Sequence, residues 1–151
     1  MYKTNSNIQW IGTGIGLLGL RLFLAWEFFE SGKEKWRGEN WFMEIQESFP
    51  FPFNVIPSDL NWTLAMGAEL LLPLFLILGF FTRCSALSLT ILTAVAWYSV
   101  HAGAGAGYNV CNNGYKMALI YIVTLLPLIT QGAGIFSVDH LLQRKSPTLN
   151  Q

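Results

Sequence analysis

The chain has 151 residues, of which 52% are hydrophobic and only 12% are charged, with a formal net charge of zero. Soluble domains carry roughly 25% charged residues, so the composition argues against a soluble cytoplasmic enzyme. The neutral charge without a basic stripe argues against nucleic-acid binding, and the length favours one domain over residues 1–151.

Four apolar runs are predicted to be membrane-spanning helices, because a helix of about 20 apolar residues crosses the hydrocarbon core. The third and fourth runs are short enough for buried soluble helices, but four such runs in one small chain leave no polar face for water. The first run holds Arg21 and is longer than a signal segment, so we expect it to be retained. The sequence therefore predicts an all-α membrane protein, a four-helix transmembrane bundle with spans at about residues 8–29, 60–81, 85–101 and 115–130.

The connection between the first two helices, residues 30–60, is rich in aromatic side chains. It holds Trp36, Trp41 and the alternating Phe-Pro run 49–53, which is too aromatic for a disordered linker. We expect it to pack as a cap on the bundle or to lie in the membrane interface. Four spans place both termini on one side, but equal numbers of basic residues fall on each side, so the positive-inside rule does not decide the orientation.

Two ionisable residues lie inside predicted spans, where charge is costly and usually faces a partner or a cavity. Arg21 lies roughly 20 Å from the side of the termini, counted from Ile8, and Glu69 lies at a similar depth, counted from Arg83. We therefore predict that Arg21 and Glu69 pair. The pair is either an ion pair that fixes helix register or a polar site that binds a small head group or relays protons.

A second polar group is predicted near the opposite surface. Glu27, His101 and Lys116 fall within a turn or two of that interface and, with Lys35, form a predicted outer-face cluster. A single histidine at a helix end caps or snorkels more often than it ligates a metal. His101 and Cys111 are nevertheless candidate soft ligands for copper, although their spacing does not require a metal.

The chain has no recognisable motif for covalent catalysis. The sequence holds no phosphate loop, dinucleotide fingerprint, nucleophile elbow or zinc-protease motif. Cys84 and Cys111 bracket the third helix and are predicted on opposite sides of the membrane, so we expect no disulfide between them. No catalytic residue is predicted, and a subunit is favoured over an independent enzyme.

Four short segments are similar to the motifs of a known protein family. The first helix holds RLFLA from Arg21 and leaves through SGKEK from Ser31, and the second holds Ala68-Glu69 and ends in LILGFFTR before residue 84. The chain then closes with GAGIFSVD over residues 132–139. In this order the segments resemble the DoxX family of small four-helix bacterial membrane proteins, over about residues 15–142.

The resemblance implies a bacterial inner-membrane protein with cytoplasmic termini. Members of that family are associated with membrane redox complexes, including a thiosulfate:quinone oxidoreductase subunit and assemblies that handle thiol or oxidative stress. Arg21, Glu69, Arg83 and Asp139 match family positions, and Lys35 matches less closely. We assign the buried site to Arg21 and Glu69, and we predict that Arg83 and Asp139 pair on the cytoplasmic face.

Within the family, three features are similar to a branch encoded beside copper-binding modified peptides. They are the run 49–53, His101, and the Asn-Asn-Gly before the fourth helix. The chain departs from the commoner family pattern at Ala102, where a tryptophan is usual.

Three hypotheses for the function follow. The first is an accessory or anchoring subunit that docks a soluble oxidoreductase and offers quinone a polar niche at Arg21 and Glu69. The second is a membrane component that matures or handles a copper-binding modified peptide near His101. The third is a small-solute transporter, which would have to form a homo-oligomer because four helices without an inverted repeat are few for a transporter.

Overall fold

The computed structural model describes the backbone of residues 6–101 and 115–144, and within these ranges the regular structure is entirely helical. Two three-residue 3-10 helices lie in the connection between the first two α-helices, at Trp41–Met43 and Gln46–Ser48. The α-helices are α1 (Ser6–Arg37), α2 (Ser58–Leu78), α3 (Thr82–His101), α4 (Lys116–Gln131) and α5 (Val138–Arg144).

The predicted four-helix membrane bundle is confirmed. Helices α1, α2 and α3 are long and apolar enough to cross a membrane, and α4 is a shorter apolar helix of 16 residues. Side chains from all four meet in one core, and many large apolar side chains face outward, as lipid requires. The core includes Leu24, Leu76, Leu89, Leu125 and Leu128, and the outward-facing residues include Trp26, Leu71 and Val123.

Helix α1 continues well past residue 29, where the first span was predicted to end. It ends at Arg37, and the backbone N–H of Gly38 donates to the carbonyl of Glu34 (2.8 Å). Glycine just past the last turn is the usual residue for ending a helix. The extra turns bring Gly32 against α2, where an added Cβ would lie 3.0 Å from the backbone carbon of Glu69. This close approach sets the register of the two helices.

The aromatic connection packs onto one end of the bundle as a cap. The buried ring of Phe42 meets Phe49 and Trp62 edge-on, with centroids 5.1 and 5.0 Å apart. The amide of Gln46 donates to the carbonyls of Asn54 and Ile56, at 2.9 and 2.7 Å. Tertiary hydrogen bonds and ring contacts therefore order this connection, as the cap alternative predicts.

The opposite end of the bundle holds the α2–α3 turn and the segment before α5. Gly79 ends α2 with φ +67°, in the left-handed region that favours glycine. The carboxylate of Asp139 accepts from the backbone N–H groups of Phe81 (2.9 Å) and Thr82 (3.0 Å), and its own N–H donates to Gly79 (2.9 Å). The first turn of α5 is thereby fastened to the turn between α2 and α3.

Candidate functional site

Arg21 is buried, with 1% of its surface exposed, at the end of α2. Its guanidinium donates to the carbonyls of Leu76 (2.7 Å) and Ile77 (2.7 Å), in the last turn of that helix. It also donates to Ala133 (2.9 Å) and Phe136 (2.7 Å), in the segment before α5. The last carbonyls of a helix lack intrahelical partners and favour a nearby cation. Arg21 therefore joins α1, the end of α2 and the segment before α5.

The predicted contact between Arg21 and Glu69 is wrong. Glu69 instead pairs with Lys35, whose ammonium lies 2.7 and 3.0 Å from the two carboxylate oxygens. The depth estimate placed Ile8 level with Arg83, whereas Arg21, 13 residues further along α1, already contacts the last turn of α2. The register of α1 against α2 is consequently shifted by about ten residues, or roughly 15 Å. This shift places Arg21 opposite the end of α2 instead of opposite Glu69.

The Lys35–Glu69 ion pair is shielded from solvent, with 15% and 4% of the two side chains exposed. The ammonium also donates to the hydroxyl of Ser31 (3.1 Å), so all three of its N–H donors have partners. An ionised carboxylate has about four acceptor positions, of which Lys35 occupies two. Ser31 also interacts with this carboxylate. Glu69 thus keeps acceptor capacity for a further hydrogen-bond donor.

A cavity of about 550 Å³ adjoins this ion pair, beneath the aromatic cap. We call it the cap cavity. Leu64 of α2 and Ile91 of α3 also line it, and both are exposed on the apolar outer surface of the bundle. The cavity therefore reaches the lipid-facing surface between α2 and α3. Its aromatic lining consists of Phe28, Trp41, Phe42, Phe49, Phe53, Trp97 and Tyr121.

Only part of the predicted outer-face cluster lies together. Lys35 and His101 line the same cavity, and Nδ1 of His101 is buried without a hydrogen-bond partner in the described part of the chain. Glu27 was predicted to belong to this cluster, but it does not line the cavity. It instead accepts a hydrogen bond from the hydroxyl of Tyr121 (2.6 Å). It precedes Lys35 by about two turns of α1, roughly 12 Å. Lys116, the first residue of α4, is exposed and does not line the cavity.

Tyr121 belongs to this site and was not predicted. Its hydroxyl binds Glu27, and its ring lies against Phe28 with centroids 5.5 Å apart. A tyrosine within an apolar span, at the depth of an acidic residue on another helix, is the sequence signal that could have indicated it.

The predicted pair of Arg83 and Asp139 is also wrong. Both oxygens of Asp139 accept backbone N–H groups at the start of α3, where free N–H donors and the helix dipole favour a carboxylate. Arg83 instead donates to the carbonyl of Thr130 (3.2 Å) near the end of α4. The two side chains therefore hold different parts of the same end of the bundle.

Cys111 and the Asn-Asn-Gly segment before α4 lie outside the described residues. Within the ranges described, no three His, Cys, Asp or Glu residues form a group that could hold a metal ion, and Cys84 is an exposed free thiol.

The DoxX family model matches residues 16–102, which include α2, α3 and most of α1. This chain belongs to the DoxX family. An uncharacterized protein of Haemophilus influenzae is 66% identical over 141 residues, covering 93% of this chain and 92% of the relative. A second uncharacterized protein of the same organism is 31% identical over 127 residues, covering 83% and 90%. No solved structure matches this DoxX chain.

Proposed function

We propose that this DoxX protein is the membrane subunit of a quinone-linked redox system and binds the quinone head group in the cap cavity. The observation that carries the proposal is a buried carboxylate with spare acceptor capacity, at an aromatic cavity that reaches the lipid-facing surface. The cavity of about 550 Å³ falls within the range of ligand sites, roughly 300–1,000 Å³.

The chemistry of the site suits a quinone and its reduced form. Aromatic rings such as Trp97 offer stacking surfaces for a planar head group. A quinol hydroxyl is a hydrogen-bond donor, and Glu69 is an acceptor held in place by Lys35. Reduction of the quinone to the quinol takes up two electrons from the redox partner and two protons, and a carboxyl group at the head group can pass on one of these protons. The candidate head-group site is therefore Lys35 with Glu69, and not Arg21.

The route to the site supports a ligand that is dissolved in the bilayer. Leu64 and Ile91 belong both to the cavity lining and to the apolar outer surface. A ligand with a long apolar tail can leave that tail in lipid while its head group occupies the cavity. A water-soluble solute gains nothing from such an opening, so this feature favours the quinone hypothesis over the transporter hypothesis.

The redox partner is proposed to be a soluble oxidoreductase. The DoxX chain carries no nucleotide-binding fingerprint or nucleophile motif of its own, so electrons would have to enter from another protein. We place the protein in the bacterial inner membrane with cytoplasmic termini, as the family resemblance implies. A reporter fused to either terminus tests this orientation, since the count of basic residues does not decide it.

The test is gentle purification from native membranes, followed by extraction of bound quinone and mass spectrometry of proteins and peptides that stay bound. Wild-type protein is expected to retain quinone, and Glu69→Gln to bind a short-chain quinone about tenfold more weakly, because a hydrogen bond to a charged group contributes about 1.5–3 kcal/mol. Glu30→Gln is the matched control, since it makes the same chemical change in a more exposed ion pair with Lys33 on α1.

The outcomes separate the hypotheses. A soluble oxidoreductase in the eluate supports the subunit assignment. A cysteine-rich modified peptide instead of a quinone would favour the copper-peptide alternative. Equal quinone binding by the Glu69 and Glu30 variants, in folded protein, would overturn the assignment of the site.

A further inference from the structure

A second cleft of about 630 Å³ lies at the opposite end of the bundle. We call it the turn-end cleft. It is bordered by the start of α3, the end of α4, the first turns of α1 and the start of α5. Thr13 of its lining precedes Ser31 of the cap cavity by 18 positions on α1, or roughly 27 Å. The two cavities are therefore separate sites.

Arg83 supplies the cleft with a positive charge. No carboxylate in the described part of the chain lies within ion-pair distance of its guanidinium, which donates a single hydrogen bond, to Thr130. Asp139 also lines the cleft, but both of its oxygens accept backbone N–H groups. A guanidinium has five N–H donors, so Arg83 keeps most of them for a ligand.

The guanidinium is also held in position. An added Cβ at Gly132 would lie 3.3 Å from Nε of Arg83, so the side chain packs against this glycine. Gly132 has φ +81°, a conformation that glycine adopts without strain. Together with the bond to Thr130, this contact orients Arg83 between α3 and α4. An oriented guanidinium loses less side-chain freedom when it binds an anion.

The cleft lies where the apolar helices end. Helix α3 begins at Thr82 and α4 ends at Gln131, and both residues line the cleft, which places it at the level of lipid head groups. Trp10 and Phe81 also line the cleft, and both are exposed aromatic residues. Aromatic side chains favour this layer of the membrane. A ligand here thus meets a cation beside apolar surface.

We propose that the turn-end cleft binds the phosphate of an anionic phospholipid. Arginine recognises phosphate through paired N–H donors, and Trp10 and Phe81 offer apolar surface to the glycerol and upper acyl chains. The cleft favours an anionic lipid over a zwitterionic one, since the carboxylate of Asp139 is already engaged and is not free to receive a choline or ethanolamine group. The site does not depend on the function proposed for the cap cavity.

The test is native mass spectrometry of the full chain in mild detergent, titrated with phosphatidylglycerol or with phosphatidylcholine of the same acyl chains. Wild-type protein is expected to bind phosphatidylglycerol about fivefold more tightly, in line with the effect of one arginine near an anionic lipid surface. Arg83→Gln is expected to abolish this preference. Arg37→Gln makes the same charge change at an exposed residue at the far end of α1 and should retain it.

Three results would overturn the proposal. The first is equal binding of the two lipids by wild-type protein, and the second is equal loss of the preference in the Arg83 and Arg37 variants. The third is displacement of the bound lipid by millimolar inorganic phosphate, which would assign the site to free phosphate. If Arg83→Gln does not fold, Arg83→Lys takes its place and should keep part of the preference, because the charge remains while the paired donors are lost.

Discussion

At the residue scale, Arg21 has a structural role that depends on the shape of its guanidinium. Its four hydrogen bonds reach carbonyls on two separate segments, at 2.7 to 2.9 Å. Lysine keeps the charge but has three donors on a single nitrogen, and it cannot reach all four carbonyls. We expect Arg21→Lys to lower the free energy of unfolding by about 3 kcal/mol, because buried carbonyls lose their donors.

Thermal unfolding in detergent, followed by circular dichroism, measures this effect. Arg37→Lys at the exposed end of α1 is the control and should leave the unfolding temperature unchanged. An Arg21→Lys variant that unfolds at the wild-type temperature would show that the carbonyl contacts are dispensable.

The Lys35–Glu69 pair allows stability and binding to be separated. Removing one partner of a buried ion pair leaves an unpaired charge and costs about 3–5 kcal/mol, whereas replacing both by apolar residues of similar size is often neutral. We therefore expect Glu69→Met to destabilise the protein strongly and the double variant Lys35→Met with Glu69→Met to recover most of the loss. The double variant should still fail to bind a short-chain quinone.

Unfolding temperature and quinone affinity, measured on the same preparations, decide between the two roles. A stable double variant that binds quinone normally would show that the ion pair only fixes the register of the helices. A stable double variant that has lost binding supports the function proposed for the cap cavity.

Residue-level prediction from the sequence was right about burial and wrong about partners. Arg21 and Glu69 stand out because charge within an apolar run is costly, and both are buried in the structure. Their partners depend on how far α1 slides along α2. Gly32 lets α1 approach the backbone of α2 at Glu69, and Gly79 leaves room for the guanidinium of Arg21. A count of depth along separate helices includes neither contact.

At the element scale, Gly79 is the position where α2 can least accept a side chain. It has φ +67°, and an added Cβ would lie 2.5 Å from Cβ of Ser137 and 2.7 Å from Nη2 of Arg21. The positive φ costs an alanine roughly 1 kcal/mol, and the overlap adds about 1–3 kcal/mol. We expect Gly79→Ala to lower the unfolding free energy by about 2–4 kcal/mol.

Gly67→Ala on the same helix is the matched comparison for that measurement. Nothing lies within 4 Å of a Cβ added there, and alanine favours helix over glycine by about 1 kcal/mol. The two substitutions are chemically identical and differ only in their surroundings. We therefore expect Gly79→Ala to lower the unfolding temperature and Gly67→Ala to raise it. A similar shift in both would mean that the turn at Gly79 relaxes to accept alanine.

Hydropathy predicted the helices better than it predicted their ends. The apolar runs indicate where α2, α3 and α4 lie, since lipid requires backbone groups to be paired within each span. The last helical turns of α1, up to Arg37, carry charged side chains. Hydropathy therefore does not detect that the helix continues there. The start of α3 depends on Asp139, which follows it by 57 residues, and contacts at such sequence distance leave no periodic signal.

At the scale of the whole molecule, the two ends of the bundle differ in construction. One end carries an aromatic cap above a cavity with an ion pair, and the other is fastened by Arg21 and Asp139 around a glycine-containing turn. Composition argued against a soluble fold, because the chain is apolar and poor in charge, and the four apolar runs predicted the bundle. The cap cavity could not be predicted, since it arises where side chains of four helices and the connection fail to fill the space between them.

The lateral opening of the cap cavity provides a test at this scale. Leu64 lies both in the cavity lining and on the lipid-facing surface, whereas Leu71 is similarly exposed on α2 but does not line the cavity. Leu64→Trp is expected to obstruct the opening and to weaken quinone binding roughly tenfold, because overpacking costs about 1–3 kcal/mol. Leu71→Trp adds the same bulk toward lipid and should bind quinone as the wild type does. Quinone retained after purification and the affinity for a short-chain quinone measure the difference. Should the two variants retain equal amounts, the ligand does not enter between α2 and α3, and a route through the cap becomes the better explanation.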